Sequence, residues 1–205
     1  MEKIDYFRAY LEYKTSKKSK INPYKLYYIG PGEINKVSKL QSLRPSRLSP
    51  VVGGDWDREY SKLKDYDIVY SLKNHFKYGG NWSETDFYSR AKECIDEETD
   101  WQGRRELNSI EQLEHYLDKI DNLYNLIKSN GYENQRNIPN NDSYHIPTLL
   151  AYERHEVTVN VARDGEFMLE DGWHRLAIAK ALNLDEIPVR IKADTKNGGR
   201  NGKKL

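Results

Sequence analysis

The chain has a single cysteine, Cys94, in 205 residues, and that scarcity removes several chemistries at once. An internal disulfide, a CxxC redox pair and a cysteine-built zinc site each need at least two thiols. Histidine does not fill the gap, because His75, His115, His145 and His155 stand at no metal-ligand spacing from one another. Charge of one sign is lacking too. With 33 basic and 32 acidic side chains the formal net charge is +1, so no general positive field gathers a polyanion. No apolar run approaches the length of a signal-peptide core or a membrane span, and the opening "MEKIDYFRAYLEYKTSKKSK" mixes charge throughout. These absences set the expectation of a cytoplasmic protein with no membrane partner.

What the chain has in quantity is aromatic: 16 Tyr and 4 Trp in a sequence that is 32% charged and has a mean hydropathy of -0.92. A disordered chain would not carry so many rings, so an aromatic-rich core is expected, sized for one decorated domain or a domain with a helical insert. Ile4, Phe7 and Leu11 predict a docking helix, and "KTSKKSK" a solvated linker; together they occupy 1–20. Leu26 to Ile29 reads as a strand stopped by Gly30-Pro31-Gly32. Pro45, Pro50 and Gly53-Gly54 make the next stretch loop-like, after which one helix is expected to end at Gly79. A second should start with Ser83 as its N-cap and bury Phe87, Ala91 and Ile95.

The clearest helix opens on a capping box, Ser109 with Gln112. Ile110, Leu113, Leu117, Ile120, Leu123, Tyr124 and Ile127 then recur at steps of three and four until Asn130-Gly131. Val157, Val159 and Val161 alternate, Asp164-Gly165 supplies a turn, and Phe167 and Leu169 lie on the return, which together predict a hairpin. Residues 173 to 182 should form a helix closed by Asn183, "EIPVRI" a final strand, and 193–205 a polar tail.

Within that C-terminal region "DGWHR" gathers Asp171, Gly172, His174 and Arg175 at the start of an Ala-rich helix. A helix N-terminus favours an anion, and His174 and Arg175 in the first turn add side-chain donors, so the run suits a phosphate group. Asp171 would repel that phosphate unless it holds a magnesium ion or orients His174. The same residues also fit a plain helix start, with Asp171 as cap, Gly172 as turn and two surface side chains.

The segment "DGWHRLAIAKALNLDEIPVRI" resembles the signature of the ParB/sulfiredoxin superfamily, in which a hairpin leads into a D-G-x-H-R or G-E-R-R turn, a helix and an I-P-V strand. "LYNLIKSNGYENQ", residues 123 to 135, is similar to the earlier helix and loop of that superfamily, and "YKLYYIGPGEI" to its first strand. The resemblance implies an α+β fold: a small mixed sheet with flanking helices, as one domain over 21–192 with a helical insertion over 44–108. "GGDWD" and "NWSETDFY" look like features of a longer ParB-like branch.

The resemblance also implies a nucleoside di- or triphosphate, ATP, ADP or CTP, bound with Mg2+ at Gly172, His174 and Arg175, with Gly131 and Gln135 in the loop over the phosphates and Asp171 as metal ligand. Trp173 stands where sulfiredoxins carry their catalytic cysteine, which speaks against sulfinic-acid reduction. Trp173 and His174 replace the Glu-Arg of partition proteins, and no helix-turn-helix pattern follows Ile191. If chemistry occurs, Asp171 and His174 are its candidates, and a second carboxylate is needed; Asp55 and Asp57, exposed by the glycines of "GGDWD", fit that part unless they only cap a helix.

Three classes of function follow. The first is a magnesium-dependent phosphotransferase or NTPase acting on a small-molecule or protein substrate. The second is a nucleic-acid-binding protein or nuclease of the ParB-like class, for which "KKSK" and "GGRNGKKL" offer only a weak basic arm. The third is a non-catalytic nucleotide-gated module whose aromatic insert docks a protein partner.

Overall fold

The computed structural model describes residues 25–39, 51–99, 107–134 and 156–195. The expected docking helix and linker of 1–20, Gln135 and the tail beyond residue 195 lie outside them. The described residues fall into two compact units, the first drawing on Met1–Leu63, Asn134–Gly172 and Leu184–Leu205, the second on Lys64–Glu133 and Trp173–Asn183.

The first unit is a mixed sheet of seven strands: β1 (Tyr27–Ile29), β2 (Ile34–Ser38), β3 (Val51–Val52), β4 (Tyr60–Lys62), β5 (Val157–Val161), β6 (Phe167–Asp171) and β7 (Ile187–Thr195). The order is β1-β7-β5-β6-β2-β4, with β3 also on β7. β5 and β6 form the expected antiparallel hairpin, and its Asp164-Gly165 turn works as such because Gly165 takes φ +86° and the Ala162 amide bonds the Glu166 carbonyl at 3.0 Å. β7 runs parallel to β5, and β2 parallel to β6. Val157, Val159, Val161, Leu169, Val189 and Ile191 are all buried, so the central strands are covered on the face that alternation assigned to the core. On the opposite face Asn160 and Lys192 both donate to Glu170, with Asn160 Nδ2 2.8 Å from Oε2.

Three expectations are corrected here. The stretch 44–108, expected as a helical insertion, also contains β3 and β4, which join the sheet, β3 along β7 and β4 along β2. Strands of two and three residues show no readable alternation, and in β4 Tyr60 and Lys62 stay exposed. The polar tail does not begin at 193: Ala193 and Asp194 still pair with β5, and Asp194 and Thr195 with β3. Ser83 is not a helix cap. It sits in a 3-10 turn over Trp82–Glu84 that delays the helix, whose cap is Thr85, with Oγ1 accepting from the Tyr88 amide at 3.2 Å.

The second unit contains four α-helices among the described residues: α1 (Asp67–Tyr78), α2 (Asp86–Asp96), α3 (Ile110–Asn130) and α4 (Trp173–Ala181). α1 stops at Gly79 in the left-handed conformation, and α3 starts on Ser109, whose hydroxyl accepts from the Gln112 amide at 3.2 Å, both as expected. Leu113, Leu117, Ile120 and Ile127 form the buried stripe of α3. In α4 four consecutive residues, Leu176 to Ala179, are buried, so the helix is enclosed around most of its girth, and alanine lets its neighbours come close. His75 packs flat on Trp82 with ring centroids 4.3 Å apart, and Asp121 accepts from Trp82 Nε1 at 2.9 Å and faces His75 Nε2 at 3.2 Å. Trp82 is therefore a packing residue. No helix among the described residues is long and apolar enough to cross a membrane.

The sheet unit also contains a charged clamp. Arg163, beside the hairpin turn, donates to Asp57 from its backbone N (2.9 Å), Nε (2.8 Å) and Nη2 (2.6 Å), and to the Gly54 carbonyl and Asp55 from Nη2. The Arg163 guanidinium holds the Asp57 carboxyl below the usual carboxylate range, against the opposing effect of its burial. A carboxyl depressed by folding stabilises the protein above the unfolded-state value, about 3.9, and that contribution fades as pH falls towards the folded value. Asp57→Ala should therefore lower Tm at neutral pH by roughly 5 °C. Calorimetry across pH should find the gap between wild type and variant closing below about pH 4.

Candidate functional site

β6 ends at Asp171 and α4 begins at Trp173, so Gly172 is the entire connection. Its φ is +89°, and a Cβ placed there would lie 2.7 Å from Val157 Cα. Glycine is thus required twice, by the backbone conformation and by the close approach of β5. Asp171 is not the helix cap expected of it. It is the last residue of the strand, paired with Thr158, and its Oδ1 accepts from the Gly172 amide at 2.7 Å, which leaves the carboxylate exposed at the strand end.

In the helical unit the two side chains of the first α4 turn each meet a tyrosine. Arg175 donates from Nε to the Tyr132 hydroxyl at 2.9 Å and from Nη2 to the Glu133 carbonyl at 2.8 Å, and its guanidinium carbon lies 4.4 Å from the Tyr132 ring centre. This ties α4 to the loop that leaves α3 through Gly131, whose φ of +82° turns the chain out of the helix. His174 Nε2 lies 2.7 Å from the Tyr116 hydroxyl on α3, with the rings edge-on at 74°. Trp173 packs against Tyr66, ring centroids 4.5 Å apart.

Arg175 is therefore brought to the loop at Gly131, whereas His174 meets α3 at Tyr116, about 22 Å of helix before that loop, so the structure does not gather His174 with Gly131. Gln135 lies outside the described residues. Asp55 and Asp57 are not brought to Asp171: both contact Arg163 at the turn end of the hairpin, whereas Asp171 lies at the open end, about 13 Å of strand away. Asp57 is buried, and its carboxylate is consumed by that contact, so neither residue serves as the second carboxylate. Among the described residues no three His, Cys, Asp or Glu side chains come together as a metal cluster. A magnesium ion at Asp171 would take that one carboxylate and complete its octahedron with water and phosphate oxygens, a coordination Mg2+ commonly adopts.

Tyr116 escaped the sequence reading. Its only signal was its place beside Leu113, Leu117 and Ile120, at the margin of the buried stripe, where a phenol's ring is covered while its hydroxyl reaches out. Compared with family models, with curated proteins and with solved structures, the chain matches none of them.

The strand-to-helix joint offers a direct test. Gly172→Ala should destabilise the protein by more than about 2 kcal/mol, through the positive φ and the overlap with Val157. Urea denaturation should register the loss, whereas Gly131→Ala, with nothing within 4 Å of its added Cβ, should lose less.

Proposed function

We propose that the protein is a ParB/sulfiredoxin-like nucleotide-binding protein that takes the phosphates of ATP, ADP or CTP at the first turn of α4, through His174, Arg175 and the helix amides, with the loop at Gly131 to Glu133 alongside. The observation that carries this reading is the bonding of Arg175 to Tyr132 and Glu133. It joins the two segments that the superfamily resemblance assigns to phosphate, although 43 residues separate Arg175 from Tyr132 in the chain. The positive end of the helix dipole and the guanidinium both favour an anion there.

Asp171, next in the chain to Gly172, is the carboxylate available for Mg2+. The metal would neutralise charge on the phosphates, and Arg175 and His174 would stabilise the charge that develops when a phosphoryl group moves to water or to a small acceptor. With Asp55 and Asp57 engaged by Arg163, Asp171 either takes the proton of the attacking hydroxyl or water itself, or would hold the metal while that proton passes to an oxygen of the transferred phosphate. The reaction class is phosphoryl transfer or NTP hydrolysis. The near-zero net charge disfavours a nucleic-acid role.

A thermal-shift panel of nucleotides with and without Mg2+, beside DNA and RNA oligomers, tests this reading. A nucleotide at a hundredfold excess over its Kd adds about 2.7 kcal/mol of stability. Arg175→Ala should cut nucleotide affinity by roughly tenfold or more, the scale of a lost charge-assisted contact. Phosphate release by the wild type would separate an enzyme from a nucleotide-gated module. Stabilisation by oligonucleotides alone, falling steeply with salt, would overturn the reading.

A further inference from the structure

α1 buries Ile68, Ser71 and Leu72 on one side and leaves the other side bare. On the bare side Tyr70, Lys73, Lys77 and Tyr78 fall within about 140° of the helix circumference and about 12 Å of its length. Tyr70 is 54% exposed and Tyr78 66%, the two lysines between them are exposed as well, and Lys73 Nζ lies 5.9 Å from the Tyr78 ring centre. Nothing on α1 offsets these lysines, because its one acid, Asp67, has a side chain only 7% exposed that faces Arg90 Nε at 3.4 Å. The same helical unit carries a patch of the opposite sign. α2 ends on Asp96, Glu97 is its C-cap and Glu98 follows, all three exposed, with no basic residue in the last turn. The negative end of a helix dipole repels carboxylates, and Lys92, a turn earlier, leaves the stretch net acidic. Among the described residues no ion pair reaches Lys73, Lys77, Asp96, Glu97 or Glu98.

We infer that the exposed face of α1 docks a second copy of this chain, whose α2 end, Asp96 to Glu98, lies against Lys73 and Lys77 while Tyr70 and Tyr78 supply contact area. The chain is balanced overall, with 33 basic and 32 acidic side chains, and the carboxylates that match its bare lysines stand unpaired on the same unit, so two copies complement each other. Tyrosine is a residue that interfaces favour at their centre, and the opposite charges beside it orient the encounter. Four side chains make a small surface, of the transient class below about 1,200 Å². The contact is therefore weak, and salt weakens it further because its charges are exposed. None of these residues belongs to α4, so the inference stands apart from the nucleotide reading.

The test measures the mass of the full chain by sedimentation equilibrium across protein concentration and salt. At low salt the wild type should rise above the monomer mass with concentration, and added salt should reverse the rise. Lys73→Glu with Lys77→Glu, and separately Glu97→Lys with Glu98→Lys, should each weaken self-association by roughly tenfold or more, since like charges then meet. Mixed, the two variants should associate with each other, because the reversed lysines of one meet the reversed acids of the other. Tyr70→Ala with Tyr78→Ala should weaken the contact and keep its response to salt. Circular dichroism checks that each variant is folded, and the wild-type series decides without them. A wild type that is monomeric at every concentration overturns the inference, and so does self-association that survives both charge reversals or a mixture no more associated than its parts. If the wild type is monomeric and binds an oligothymidylate that Lys73→Glu with Lys77→Glu does not bind, the face belongs to nucleic acid and the inference falls.

Discussion

Everything at the C-terminal motif depends on the contact between Gly172 and Val157. The end of β6 must lie close enough to β5 to pair with it, and the chain must turn at once into α4, so only a residue without a side chain and with access to positive φ fits. That one residue determines where Trp173 enters the helix. From there Leu176 to Ala179 follow as a fully buried turn, and His174 and Arg175 stand in the turn before it. The motif is therefore a structural joint before it is anything chemical.

Arg163 serves the sheet unit in a comparable way. A single guanidinium bonds Asp57, Asp55 and the Gly54 carbonyl, fastening a loop rich in glycine to the hairpin turn. A loop of that composition has much conformational freedom to lose on folding, and several directional bonds from one planar group offset that loss more effectively than one surface ion pair would. The acidic residues of "GGDWD" are explained by this clamp without any catalytic duty.

The parts of the fold that could be read from the sequence are those written in neighbouring residues. Val157, Val159 and Val161 alternate, Asp164-Gly165 marks the turn, and Ser109 with Gln112 marks a helix start, so the hairpin and α3 were foreseen with nearly correct ends. β2, β3 and β4 were not, because β3 and β4 have only two and three residues, and the two buried residues of β2, Ile34 and Val37, stand three apart across a bulge rather than in alternation. The site divides the same way. His174 and Arg175 stood out as two donors at a helix start, but the partners that orient them, Tyr116 and Tyr132, are 58 and 43 residues away. Asp57 was misread as exposed for the same reason, since its partner Arg163 lies 106 residues downstream and glycines flank the loop on the near side.

The helical unit is assembled from two separate stretches of chain, 64–133 and 173–183, and the second supplies its most enclosed helix. A ribosome delivers α1, α2 and α3 long before α4, and the apolar surface those helices keep for Leu176 to Ala179 is uncovered in the interval. Closing that gap requires contacts distant in sequence, which slow folding, at a closure cost that grows only with the logarithm of the loop length. The sheet cannot finish early either, because β7, which borders β1, β3 and β5, is made after α4. The helical unit is thus complete once α4 is made, whereas a nascent chain cut short before β7 would lack the strand on which β1, β3 and β5 pair.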